Sequence, residues 1–441
     1  MSTVLRPQNI PEALVWGYIV GTYGIYYLGA QFVLGPLLGL GLAGYWVWLW
    51  WHQPRQETSL VIQPLSKITW LWVGCALVIA LALVVGHANF DLGLSQMVRS
   101  LFNRWLRTWA LFPLFLIAAH LPIRPQIIYQ AVAILCAQSL LLVLIGGGAN
   151  ILGLPLILYT SPLQVLGGGR FYGVTLLGNV FDEEQRRLQL FAPWPPALGQ
   201  IGCLYFFLAR QSGVRTWRWL GMAGAVAMTV GSLSRLAVVA LPVVGIGLWI
   251  LLRIGSPWVQ MALGFAVSIS SMVVTPLWQA YQRFREEVTR LRPGSSEVRA
   301  ILNRLGLEGW WREAPIWGHG LIAAEGPAAT GYMPIGTHQT WIGLLYLHGL
   351  VGCLAFGITL AVSALYLLVR AFKTLTGRVA FSQISILLIF SLTDNIDMSA
   401  YLYWPSLLIL GLAFAEPATQ HATTDPTRPG NSLFTQPNAH A

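Results

Sequence analysis

Runs of about twenty apolar residues recur along most of this chain, and one such run spans the roughly 30 Å hydrocarbon core of a bilayer as a helix. Inside lipid every backbone polar group must be satisfied internally, so runs of this kind fold as helices. Of the 441 residues 56% are hydrophobic and only 10% charged, whereas soluble domains carry about 25% charged residues. An ordinary cytosolic enzyme is therefore excluded. The expected fold is an all-α polytopic membrane protein with about twelve transmembrane helices.

The spans begin near Leu14, Val33, Ile68, Trp109, Ile127, Pro193, Trp217, Ala237, Val259, Trp341, Ala380 and Leu402. The first apolar run lacks a small-residue cleavage site and reads as a retained span. Before the fourth, Asp91–Trp109 places Met97, Leu101 and Trp105 on one face with arginines elsewhere, the pattern of a helix lying in the membrane interface. Two connections are long, Gly146–Gln189 and Trp278–Gln339. The first holds a re-entrant-looking apolar stretch. The second reads as two short helices, Gln279–Leu291 and Glu297–Trp311, with Ser295 as N-cap. The chain thus divides into membrane helices over 1–277 with an outer loop near 146–189, a large outer loop over 278–339, membrane helices over 340–416, and a disordered cytoplasmic tail over 417–441.

Charge gives an orientation. With the N-terminus in the cytoplasm, short inner segments collect Arg6, Arg55, Lys67, Arg124, Arg210, Arg215, Arg218, Arg253, Arg370, Lys373 and Arg378. The outer short connections hold fewer, with Arg99, Arg104, Arg170, Arg186 and Arg187 as exceptions, and both long connections then face outward. The 26 basic residues outnumber the 16 acidic ones, yet only Lys67 and Lys373 are lysine. A basic balance is usual for membrane proteins and does not indicate a nucleic-acid partner. The arginine bias is more informative, because a planar guanidinium suits bidentate binding of phosphate or carboxylate.

Few residues carry chemistry. Arg235, in SLSRLAVVALPVV, lies at the outer end of a span. It reads either as a snorkelling interface arginine or as an anion ligand, with Ser232 and Ser234 as hydroxyl donors. Arg170 follows three glycines, either in a flexible turn or where backbone approaches a ligand. In the arginine-rich loop most charges read as a solvated helix face, but Arg299 borders the apolar stripe of Val298, Leu302 and Leu305. His338, before a long span, is either structural or a general base at a bundle mouth. His319 and His348 are weaker candidates. Asp394 and Asp397, between the last two spans, form a solvated acidic turn, pair with the arginines, or hold an acceptor hydroxyl. The four cysteines fall in apolar runs without metal-ligand spacing and read as small buried hydrophobes. No HExxH, DxD or GxSxG occurs.

One order of motifs stands out: the Arg–Phe–Tyr–Gly turn at 170–173, SLSRLAVVALPVV, an arginine-rich outer loop ending in PIWGHGL, and THQTWIGLLYLHGLVGCLAF. From Arg170 to the last span it resembles the O-antigen ligase and O-antigen polymerase superfamily of bacterial envelope-polysaccharide enzymes. Two departures are Gln339, where the family often has Asn, and Leu236, where a small residue is usual. The resemblance implies a GT-C-like fold whose large periplasmic loop carries short helices. It implies an inner-membrane, metal-independent, inverting glycosyltransferase needing no cofactor. The donor would be a glycan on undecaprenyl diphosphate, the acceptor a lipid core (ligase) or a carrier-linked repeat unit (polymerase), and a chain-length regulator is a candidate partner. By position His338 matches the catalytic histidine, and Arg235, Arg299 and, less closely, Arg170 match the donor-binding arginines. Asp394, Gln339 and Ser234 would support the acceptor. The competing expectation is an anion transporter, which also wants intramembrane arginines but predicts broken spans and an internal repeat. A noncatalytic scaffold would not need His338 and the arginines to converge.

Overall fold

The computed structural model describes residues 5–52, 63–153, 157–166, 169–178, 186–291, 293–322, 325–336 and 338–416, with the backbone alone at 149–150, 169–170, 270–275, 277, 280–281, 284–291 and 293–296. The expected disordered tail lies outside the described residues. In chain order the helices are α1 (Ile10–Val20), α2 (Thr22–Tyr27), α3 (Gln31–Trp51), α4 (Lys67–Asn89), α5 (Leu94–Ser100), α6 (Leu111–Ala118), α7 (Pro125–Ile151), α8 (Pro195–Ala209), α9 (Arg215–Gly231), α10 (Arg235–Leu252), α11 (Pro257–Leu291), α12 (Pro293–Glu313), α13 (Thr340–Ala371), α14 (Leu375–Ser391) and α15 (Ala400–Ala415). Every expected span begins on, or within two residues of, one of these helices or the π-helix Leu101–Trp109. By length and apolarity, 6 are sufficient to cross a membrane: α3, α4, the Pro125–Gly148 part of α7, α10, α13, and Asp397–Ala415. The shorter α1, α8 and α14 are apolar as well.

The fold departs from an all-helical one in the 146–189 connection. There β1 (Ile157–Thr160) pairs antiparallel with β2 (Gly173–Thr175), and β3 (Leu177–Gly178) with β4 (Arg187–Leu188). Tertiary pairing between distant segments overrides the re-entrant pattern suggested by local apolarity. The outer loop differs too. Gln279–Leu291 is the end of α11, which runs 35 residues without interruption, and α12 starts at Pro293 rather than after Ser295. Proline suits the first helical position because its missing N–H has no partner there anyway. The amphipathic 91–109 stretch becomes α5 followed by a π-helix whose end is buried in the bundle. Arg107 is enclosed there, bonding Asn103 and the Leu166 carbonyl and lying over Phe32 and Phe102. It has left the polar face that the sequence pattern gave it.

Close backbone approach builds the bundle. Helix α9 packs along α7 and α8, and α13 packs along α4 and α14. A Cβ at Gly224 of α9 would lie 1.8 Å from the Cys136 carbonyl oxygen of α7, so only glycine permits that crossing. Cys75, Cys136 and Cys203 are buried free thiols, as expected of small apolar fillers.

Helix α13 is broken at Gly349, whose φ of 61° an L side chain rarely adopts. The break is filled by the PIWGHGL segment. Leu350 N–H donates to the Pro315 carbonyl (2.9 Å) and Val351 N–H to Ile316 (3.2 Å). In return His319 N–H donates to the Tyr346 carbonyl (2.8 Å) and Gly320 N–H to Leu347 (2.9 Å). The backbone groups freed by the break are thereby satisfied by protein, which is what makes a break tolerable at membrane depth. His319 also stacks on Tyr346 and Phe90 and pairs with Glu313 (2.9 Å). Its place is structural: it pins the outer loop to α13.

Candidate functional site

The turn between α9 and α10 is knitted by two serines. Ser232 donates to the Thr229 carbonyl and accepts from Ser234 N–H, so its hydroxyl is committed to the turn and buried. That removes Ser232 as a ligand donor. Ser234 caps α10 by accepting from Ala237 N–H. Between them Leu233 has φ 50°, a strained conformation for a branched residue of the kind that gathers at functional sites. The turn delivers Arg235 as the first residue of α10, whose first turn carries no acid. A cation at the positive end of a helix is unfavourable unless an anion sits beside it.

A cavity of about 200 Å³ opens at this turn, lined by Ser234, Arg235, Arg299, Asp394 and Arg187, with Leu233, Leu236, Pro196, Phe390 and Thr393. Four residues marked in the sequence therefore meet, although they come from the α9–α10 turn, α12 and the α14–α15 connection. Arg299 is half-buried and its Nε has no hydrogen-bond partner. Asp394 faces it. Burial pushes the Asp394 carboxyl above the ordinary carboxylate range, and the Arg299 charge, the Asn395 N–H and the Trp194 indole pull it partly back. Asp397 does not line this cavity and is buried.

Arg187 was visible in the sequence only as one more outward arginine. In the structure it is 5% exposed, held in β4 opposite Gly178, and lines the cavity. Its place depends on a two-residue strand pairing, and the only local signal was a charge within the apolar alternation Arg187–Leu188–Gln189–Leu190.

His338 does not line the cavity; the start of α13 ties its segment to the Asp394 turn. Two residues on, Thr340 begins α13 and is latched to the Asp394 turn: its N–H and Oγ1–H both donate to the Asp394 carbonyl (3.1 and 2.7 Å), and its Oγ1 accepts from Ile396 N–H (3.1 Å). Gln339 donates to the Leu392 carbonyl (2.7 Å). Its amide thus fixes the start of α13 against the acidic turn, a positioning role. His338 is half-buried. The side chain of Arg170 lies outside the described residues; its backbone is in a short 3-10 turn, Gly169–Tyr172.

Residues 220–357, from α9 to the middle of α13, match the family model described as O-antigen ligase. The resemblance to the O-antigen ligase superfamily is established. No curated protein matches the chain significantly. The matched segment contains Arg235, Arg299, His338 and Gln339, and it ends just past the α13 break. Arg187 and Asp394 are brought to it by the fold. Such an arginine-lined pocket can bind a diphosphate, and its single carboxylate can orient a hydroxyl. The match supports an O-antigen ligase-family function, and the apolar helices support a multi-pass membrane protein.

Proposed function

We propose that the protein is a metal-independent, inverting glycosyltransferase that moves a glycan from a polyprenyl-diphosphate carrier to an acceptor. We place it in a bacterial inner membrane with about twelve spans, the cavity facing the periplasm. The observation that carries this reading is the meeting of Arg187, Arg235 and Arg299 at the N-terminus of α10, beside Asp394 and the segment bearing His338. The acceptor hydroxyl oxygen attacks the anomeric carbon. The bond from that carbon to the diphosphate breaks, and its electron pair passes to the diphosphate oxygen. The arginines stabilise the charge that develops there, an effect worth about 10²–10³-fold per preorganised donor. His338 takes the hydroxyl proton, worth about 10²–10⁴-fold. Asp394 restrains Arg299 and orients the acceptor. The assignment to undecaprenyl diphosphate and to a ligase rather than a polymerase follows the resemblance.

The test is transfer by purified protein from a polyprenyl-diphosphate glycan to candidate acceptors in the presence of EDTA. Wild type should transfer, while folded His338→Ala, Arg235→Ala and Arg299→Ala should not. A single addition to a lipid core identifies a ligase, and a ladder of repeat units a polymerase. Full activity in His338→Ala would sink the base assignment. The break in α13 favours an anion transporter, but its backbone is plugged by residues 315–320. Anion flux through proteoliposomes without transfer activity would replace the transferase reading.

A further inference from the structure

A second cavity, about 770 Å³, lies at the opposite ends of the same helices that frame the first. It is bounded by the C-terminal ends of α8 and α10 and the N-terminal ends of α9 and α14. Helix α10 has 18 residues, about 27 Å and close to the thickness of a bilayer core, and the two cavities lie toward its opposite ends. Four arginines line this one: Arg210, Arg215, Arg218 and Arg378. No carboxylate lines it, and none pairs with these arginines among the described residues. The Arg218 Nε is buried without a partner. Helices α9 and α14, each 17 residues long, present N-termini here, and neither has an acid in its first turn. The two positive helix ends are offset by the negative C-terminal ends of α8 and α10, so the charge that converges here without a carboxylate is that of the four guanidinium groups.

The walls are apolar. Met222 and Leu248 line it together with Trp219 and Trp249, which are 60% and 49% exposed. Tryptophans with an apolar body and a polar edge favour the membrane–water interface. A soluble anion would fill the arginine ring and leave the apolar wall wet. A phospholipid would satisfy both, with its phosphodiester on the arginines and its acyl chains along Met222 and Leu248. Basic pockets between membrane helices bind anionic headgroups in this way.

We propose that this cavity is a binding site for an anionic phospholipid, separate from the transfer site. The test uses the purified full chain in detergent, with native mass spectrometry reading retained lipid. Wild type should retain phosphatidylglycerol in preference to phosphatidylcholine. The pair Arg210→Gln/Arg218→Gln should lower apparent affinity about tenfold or more. The charge-matched pair Lys67→Gln/Lys373→Gln, exposed residues outside the cavity, should change it less than about twofold. Equal loss in both pairs would overturn the site in favour of general surface charge. Equal retention of the two lipids by wild type, or displacement by millimolar inorganic phosphate, would overturn the lipid assignment. A photoactivatable phosphatidylglycerol on the wild-type chain supplies a readout free of folding effects: crosslinks near Met222 and Leu248 are expected, and crosslinks confined elsewhere would refute the proposal.

Discussion

The two arginine-lined cavities share four helices and differ in what accompanies the charge. At the α10 N-terminus three arginines arrive from three separate segments, face a carboxylate, and adjoin a histidine-bearing turn and a strained leucine. At the other end four arginines come from the ends of adjoining helices, with tryptophan walls and no carboxylate. Positive charge alone makes a place where an anion rests. A group that can hold a hydroxyl, placed opposite the cations, makes a place where an anion can leave.

That contrast breaks most sharply through transfer activity. Arg299→Ala and Arg187→Ala should each lower transfer about 10²–10³-fold, whereas Arg218→Gln, in lipid-supplemented detergent, should leave it nearly unchanged. Comparable losses at both ends would mean that the cavities are one functional unit. The next largest effect concerns the α13 break. Gly349→Ala puts a side chain at φ 61° with its Cβ 2.2 Å from the Ile316 carbonyl oxygen. The left-handed conformation alone costs about 1–2 kcal/mol, and the clash should undock residues 315–320. A lower thermal midpoint and faster proteolysis of the outer loop would register it.

The carboxylate sharpens the comparison through pH. Asp394 titrates above the ordinary carboxylate range because burial disfavours its charge. As pH falls through that titration, a negative charge opposite Arg299 is lost, so diphosphate affinity at the first cavity should rise. Lipid retention at the second, which lacks a carboxylate, should not follow. Asp394→Asn should abolish the pH dependence, and a binding isotherm across the acidic range measures it. The stability sign runs the same way: an acid with a raised pKa in the fold favours folding when protonated, and loses that contribution as pH rises through its titration. The smallest effect is Ser234→Ala, which removes the α10 cap and should cost about 1 kcal/mol in thermal stability, with a modest loss of transfer as Arg235 loosens.

Much of the candidate site was legible because its residues break a local rule. Arg235 is a charge at the head of an apolar run, Arg299 borders an apolar stripe, and Asp394 is an acid between two spans. Each violates the pattern around it, so each asks for a partner. Ser232 differs: a hydroxyl next to such a residue reads as a donor, and only the fold commits it to bonds within its own turn. Nothing near Arg187 in sequence demands its burial; a strand pairing across residues 178 and 187 does that.

The apolar runs by themselves determined helices, since a chain in lipid has few other ways to satisfy its backbone. They placed the starts of those helices to within a few residues. Only the tertiary structure decided that PIWGHGL fills the gap at Gly349, that 91–109 turns inward at Arg107, and that Arg187, Arg235, Arg299 and Asp394 share one cavity. Helix formation depends on bonds a few residues apart and is written in local pattern. Convergence of side chains from distant segments depends on how helices cross, which here rests on close contacts such as Gly224 against Cys136, and no local pattern encodes those.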